Sequence, residues 1–158
     1  MPRPILWCVV FAAAACAPAP RGASVPTRVE RDGLVFQGVS TMTPDSSRVF
    51  VAVRITNNGR QTRTVQFPDG CVVLLRLARD STVARPVWDQ SRVAMCTQGL
   101  VEVELRPREA ISYSGSAAVA EIRSDSVPPG RYFVVAFLRP NGDSVRVPAG
   151  AVVLPRAR

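Results

Sequence analysis

Between Arg48 and Asn57, the side chains of Val49, Val51, Val53 and Ile55 fall on one side of a period-two pattern, with Arg54 and Thr56 on the other. That alternation predicts a strand with one face in a core. Asn57-Asn58-Gly59 follows, and residues tolerant of positive φ at this place predict a hairpin turn into a return strand, Thr62 to Phe67. Pro68-Asp69-Gly70 predicts a second turn, Cys71 to Leu77 the next strand, and Asp80-Ser81 a turn into a strand from Thr82 to Trp88. Val101, Val103 and Leu105 alternate with Glu102 and Glu104, so Leu100 to Leu105 reads as a strand. Beyond the Arg106-Pro107-Arg108 turn, Ala110 to Ser114 and Ala117 to Ile122 are two further strands. Val127-Pro128-Pro129-Gly130 is a sharp turn. Tyr132 to Leu138 is apolar on both faces, as a central strand is. Pro140-Asn141-Gly142-Asp143 turns it into Ser144 to Val147, and Val152 to Leu154 closes the chain. Between Arg28 and Ser47 only short apolar runs and turn signals are legible. No segment reads as a helix longer than a turn or two, and no internal repeat is present. Short strands at this spacing predict an all-β fold, a single Ig-like antiparallel β-sandwich over residues 28–158.

The N-terminal segment has a different pattern. Arg3 precedes the apolar run Ile5 to Phe11, which is shorter than the roughly 20 residues of a membrane-spanning helix. Ala12 to Ala15 are small, and Cys16 follows directly. Residues 1–15 are therefore expected to be a secretory signal. The segment resembles a bacterial lipoprotein signal, which implies that Cys16 is the lipid-attachment residue. Residues 16–27, rich in Pro and Ala, would then be a tether. The expected location is the bacterial cell envelope, anchored by lipid on the periplasmic or outer-membrane side. Cleavage after the alanines to give a free secreted protein is the alternative, and an uncleaved anchor is a third.

Composition narrows the chemistry. The 20 basic residues are all arginine, and the formal net charge is +8. Such a balance favours anionic surfaces, but the arginines are scattered singly and aromatics make up only 6% of the chain. Nucleic acid is therefore not an expected partner. Histidine and lysine are both absent, which excludes Ser-His-Asp, Cys-His, Ser-Lys and Schiff-base catalysis as well as histidine-based zinc or copper sites. No phosphate-binding glycine loop or nucleophile elbow is present. Glu102 and Glu104 share a solvent-facing strand surface, and Asn141-Gly142-Asp143 offers one carboxylate where calcium wants several. The expectation is a non-enzymatic protein with no metal, no cofactor and no small-molecule substrate.

Cys8 lies in the signal and Cys16 is the lipid candidate, leaving Cys71 and Cys96. An even pair in an oxidising compartment is expected to form a structural disulfide, with two free thiols as the alternative. Closing a loop of this length contributes roughly 3 kcal/mol in the loop-entropy account. Neither cysteine has the Cys-x-x-Cys spacing of a redox-active pair.

Several landmarks then occur in a fixed order. After Thr56-Asn57-Asn58-Gly59 come Pro86-Val87-Trp88, Met95-Cys96-Thr97-Gln98, Leu105-Arg106-Pro107-Arg108-Glu109 and Pro128-Pro129-Gly130-Arg131-Tyr132. Over about residues 45–140 this resembles the BsuPI-type intracellular proteinase inhibitor domain. In that family an Asn/Gly turn, a Trp segment, a Met-Phe-Thr-Gln-like stretch, Leu-x-Pro-Gly-Glu and Pro-Gly-x-Tyr follow one another. Two departures stand out. Arg108 replaces a glycine, so a different φ or a type I turn is expected there. Cys96 stands where an aromatic is common, which reads as a disulfide replacing an aromatic contact in an exported version of the domain.

The resemblance implies a protein-binding domain whose partner is an envelope protein, a peptidase among the candidates. The alternative is a structural or assembly module of the envelope with no inhibitory activity. The segment from Val83 to Gln98 is the expected contact loop, with Trp88, Ser91, Arg92, Val93 and Gln98 as candidate binding residues, because a bridge at Cys96 would limit its motion. Trp88 reads first as a core or edge plug and second as a surface aromatic, and Gln98 is equally readable as a loop anchor. Tyr132 is expected to bond a nearby backbone group through its hydroxyl, and Glu109 to accept backbone N–H groups in its turn.

Overall fold

The computed structural model describes residues 27–82 and 84–156. The expected signal, the candidate lipid-attachment residue Cys16 and the expected tether up to residue 26 lie outside the described residues, whereas Thr27 already belongs to the first strand. The strands are β1 (Thr27–Arg31), β2 (Leu34–Met42), β3 (Arg48–Asn57), β4 (Arg63–Phe67), β5 (Leu74–Ala78), β6 (Trp88–Asp89), β7 (Val101–Leu105), β8 (Ala110–Ala118), β9 (Gly130–Leu138) and β10 (Val145–Leu154). One short helix, α1 (Val119–Ser124), follows β8.

Two four-stranded antiparallel sheets form the sandwich, in the orders β1-β2-β3-β8 and β10-β9-β5-β6. The neighbours β3-β8 and β5-β9-β10 are those of an immunoglobulin-type sandwich. Val49, Val51, Val53 and Ile55 are all buried, as their alternation requires. They share the core with Phe36, Leu75, Leu77, Val134, Ala136, Leu138 and Val147. β9 is central in its sheet, and its inward and outward residues are largely covered on both sides. Tyr132 is its third residue, and its hydroxyl donates to Pro128 O at 2.8 Å, fixing the preceding turn.

Five expectations need correction. Asn57-Asn58-Gly59 does not close a hairpin: β3 is already flanked by β2 and β8, so no free edge remains for a return strand. Instead β4 pairs with β7 in a separate two-stranded ribbon, with Val65 opposite Val103. The strand expected over Thr82 to Trp88 shrinks to Trp88 and Asp89. Asp80 Oδ1 holds the Thr82 N–H at 3.0 Å in a local turn, and Pro86 has no N–H to give a ladder. Ala117 to Ile122 is not a strand: β8 runs on to Ala118, and α1 begins. Val119 and Ile122, three apart, are both buried, which is helical spacing. Ser144 to Val147 and Val152 to Leu154 are one strand, β10, with a register shift between Pro148 and Ala151 where Gly150 takes φ 94°. The strand expected from Cys71 starts only at Leu74. The β1–β2 hairpin, not legible above, turns on Asp32 and Gly33 at φ 50° and 72°, an Asp-Gly signal between apolar runs.

Arg108 adopts φ 67°, so it takes up the left-handed conformation a glycine would prefer rather than avoiding it. The turn holds it there. Arg108 N–H donates to Asn57 O at 2.9 Å, and Glu109 Oε2 accepts the Arg106 N–H at 2.8 Å, as expected of Glu109.

Candidate functional site

Between β6 and β7 the chain leaves the sheet for eleven residues, and this is where the candidate site residues fall. The segment is pinned at its start. Asp89, opposite Arg76 in the β5–β6 register, forms an ion pair with Arg76 at 2.7 Å with both side chains only 15% exposed, and the same guanidinium stacks on Phe137, 3.7 Å from the ring centre. Asp89 Oδ1 also accepts the Ser91 N–H at 3.0 Å and the Ser91 hydroxyl at 2.7 Å. That is an N-cap, and it starts a single 3-10 turn over Gln90–Arg92.

Gln90 is the main anchor. Its Oε1 accepts the Leu75 N–H at 3.0 Å, and its Nε2 donates to Ser116 O at 2.9 Å. One amide thus spans from β5 to β8, across the gap between the two sheets. That gap is narrow: a Cβ on Gly115 would run into the Val73 carbonyl oxygen, so only glycine fits. Gln90 O in turn accepts the N–H groups of Val93 at 3.0 Å and Ala94 at 2.9 Å.

The far end is pinned as well. Cys96 is disulfide-bonded to Cys71, with the Cα atoms 5.3 Å apart. The adjacent Thr97 O accepts the Gly70 N–H at 3.0 Å, and Thr97 Oγ1 occupies the place a Cβ on Gly70 would need. Asp69 fixes the Cys71 side of the bridge: its Oδ1 accepts the Cys71 N–H at 2.9 Å and its Oδ2 meets Arg139 at 2.7 Å. Asp69 lies near both sulfurs. The sulfurs are bonded to each other and the carboxylate is engaged, so this cluster is a brace and not a ligand set.

Large apolar side chains of the loop stand in solvent. Between the pins Met95 is 99% exposed and Val93 46%, and beyond the Cys96–Thr97 pin Leu100 is 62% exposed. Residues 94–97 run without turn or bend.

The candidate residues fare differently. Ser91, Arg92, Val93 and Gln98 are exposed on this loop. Ser91 is committed to the cap on Asp89. Gln98 makes no hydrogen bond among the described residues, so it is not the anchor; that part belongs to Gln90. Trp88 is the core plug and leaves the contact residues: it is only 1% exposed and faces the core opposite Leu77, so no partner can touch it. Its indole N–H is buried without a hydrogen-bond partner among the described residues. Two residues escaped the sequence reading. Gln90 sat inside a run of polar residues, and nothing in a polar run marks the one that turns inward. Leu100 was absorbed into the following strand, yet β7 begins at Val101.

A family model described as BsuPI, intracellular proteinase inhibitor, matches residues 37–142. No curated protein matches the sequence. Among solved structures, a β-glucosidase from Kluyveromyces marxianus in complex with glucose aligns at 17% identity and TM-score 0.39, covering 77% of this chain and 14% of that one. A β-glucosidase from Erythrobacter marinus aligns at 19% identity and TM-score 0.34, covering 72% and 14%. This chain thus spans about one seventh of the length of those enzymes.

Proposed function

The chain belongs to the BsuPI family, described as intracellular proteinase inhibitors, and from that membership we propose an inhibitor-type, protein-binding domain that engages a peptidase through the loop between β6 and β7. The observation that carries the reading is a loop pinned at both ends with Val93 and Met95 exposed between the pins and Leu100 exposed just beyond them. A pinned loop loses little conformational freedom on binding, so more of its contact energy reaches affinity. Exposed apolar side chains on an otherwise polar loop gain by being covered. We further propose that the protein is exported and held at a membrane through Cys16, so that its partner is an envelope protein. The Cys71–Cys96 bond supports this, because such bonds persist in oxidising compartments.

The test is a double replacement, Val93→Ser with Leu100→Ser, in the full chain. Both side chains are exposed, so stability should change by less than about 1 kcal/mol in total. If both are covered in the complex, about 3 kcal/mol of apolar contact is lost, and inhibition should weaken by roughly a hundredfold. Undiminished inhibition would move the contact surface off this loop. A wild-type chain that inhibits no peptidase, and co-purifies instead with an envelope assembly, would replace the inhibitor reading with that of an assembly module.

A further inference from the structure

We infer that Met95 is the primary specificity residue of this domain, and that the Met95–Cys96 peptide bond is the one offered to the active site of an endopeptidase whose main pocket takes a large, unbranched apolar side chain. The inference rests on the inhibitor-type reading above and names its reactive bond.

The backbone selects Met95 from among the exposed apolar residues. Peptidase clefts hold a substrate extended, through main-chain hydrogen bonds on both sides of the scissile bond. Val93 closes the 3-10 turn with φ −125° and ψ −19°, so its backbone is not extended. Leu100 directly precedes Val101, which is paired with Phe67 in the β4–β7 ribbon, so the chain on its C-terminal side is occupied. Met95 lies within the stretch 94–97 that has neither turn nor bend, and it is 99% exposed. A thioether side chain in that state makes no contact that stabilises this fold, and it is flexible enough to fill an apolar pocket on a partner.

The pins fall on opposite sides of this bond. On the N-terminal side, Ala94 N–H is held by Gln90 O, and Gln90 is itself held by Leu75 N and Ser116 O. On the C-terminal side, Cys96 is bonded to Cys71 and Thr97 O to Gly70 N. The consequence for catalysis follows. The peptidase nucleophile attacks the Met95 carbonyl carbon, the C–N bond to Cys96 breaks, and the nucleophile's proton passes to the Cys96 nitrogen. In an ordinary substrate that amine diffuses away. Here the disulfide and the Thr97–Gly70 hydrogen bond keep it beside the acyl group, at a very high effective concentration. It attacks the acyl carbon, the peptide bond re-forms, and the nucleophile recovers its proton. Cleavage is thus reversed faster than water completes it, and the protein acts as an inhibitor rather than a substrate.

The full chain with its disulfide intact is assayed against chymotrypsin, trypsin and elastase, whose primary pockets take large apolar, basic and small side chains respectively. Inhibition constants are read from hydrolysis of chromogenic peptides. Wild type should inhibit chymotrypsin. Met95→Arg should transfer inhibition to trypsin, with each constant moving at least a hundredfold. Circular dichroism melts should coincide for the two chains, because Met95 touches nothing. After reduction of the disulfide, chymotrypsin should cut between Met95 and Cys96, as read by mass spectrometry. If wild type inhibits and Met95→Arg leaves the preference among the three enzymes unchanged, Met95 is not the specificity residue, although the inhibitor reading survives. If the reduced chain is cut first at another bond, the reactive bond is misassigned. If neither chain inhibits any of the three enzymes, the inhibitor reading fails and takes this inference with it.

Discussion

Asn57→Ala probes the residue that ties one end of the sandwich together. Asn57 ends β3 and is fully buried. Its Nδ2 donates to Gln61 O and to Leu105 O, each at 2.8 Å, and its Oδ1 accepts the Gly59 N–H at 2.9 Å. Its backbone N–H donates to Glu109 O, and its carbonyl accepts from Arg108 N–H. One asparagine therefore joins the exit of β3, the end of β7 and the turn into β8. Alanine keeps the two backbone bonds and deletes the three side-chain ones. Two of those, to Gly59 and Gln61, lie where water can reach, and each is worth about 1 kcal/mol net. The third leaves the buried Leu105 carbonyl without a donor, which costs about 1–3 kcal/mol. The total is about 4 kcal/mol, close to a thousandfold change in the folded-to-unfolded ratio.

Urea unfolding followed by the fluorescence of buried Trp88 measures it. Asn57→Asp sharpens the test. It keeps the acceptor for Gly59 N–H but turns a carboxylate toward two carbonyl oxygens, so at neutral pH it should be no more stable than alanine. Inhibition measured well below the melting temperature should be unaffected in both variants, because the loop is pinned by Gln90, Cys71 and Gly70 and not by Asn57. A loss below 1 kcal/mol in the alanine variant, or wild-type stability in the aspartate variant, would refute this account of the junction.

Three further outcomes are expected. Replacing Cys71 and Cys96 together by serine should lower the unfolding free energy by about 3 kcal/mol, since the bond closes a loop with a sequence separation of 25; a loss under 1 kcal/mol in urea titrations would contradict the loop-entropy estimate. The Asp45 carboxyl should titrate at about 2 instead of 3.8, because the Thr43 hydroxyl and then the backbone N–H and hydroxyl of Ser47 favour its ionised form. Its folded value is lowered, so its contribution to stability is present above about pH 4 and is lost as pH falls towards 2. A carboxyl-carbon NMR titration checks this, and Thr43→Val should move the midpoint upward. Cys16→Ser should release the protein from the membrane fraction or leave it unprocessed; normal processing with unchanged membrane fractionation would show that Cys16 carries no anchor.

The alternation of Val49 to Ile55 was enough to place β3 and its inward face, because a period of two admits only one strand orientation against a core. The same residues say nothing about which strand lies beside β3. That depends on edge availability, and β2 and β8 had taken both edges, so the hairpin expected at Asn57 could not form. Ala117 to Ile122 was ambiguous for another reason. Ala117 and Val119 fit a strand, Val119 and Ile122 fit a helix, and only the close of β8 at Ala118 decides between them. The two cysteines could be paired by count alone, and the Tyr132 and Glu109 hydrogen bonds followed from turn chemistry that acts over a few residues. Arg108 belongs to the same local chemistry. It is the third residue of a turn closed by the Glu109 N–H on Arg106 O, and after Pro107 that position takes positive φ; its N–H also bonds Asn57 O, fifty-one positions away, a partner no local rule names.

Trp88 and Met95 make the same point about the candidate site. Both are large apolar residues in a stretch of mixed polarity, seven positions apart, yet one is 1% exposed and the other 99%. Hydropathy cannot separate them. Register does: Trp88 is opposite Leu77 and Asp89 is opposite Arg76, so the pleat turns the indole inward and the carboxylate outward. One residue later the chain leaves the ladder, and Gln90 spends its amide on holding it off the sheet. From that point the period of two no longer applies, and an apolar side chain has no inward face to occupy. The core is already closed by Leu75, Leu77, Trp88 and their neighbours, so Val93, Met95 and Leu100 find no place in it. Their exposure is a consequence of where the chain leaves the sheet, and of the Gln90 and Cys96 anchors that keep Val93 and Met95 away from the core.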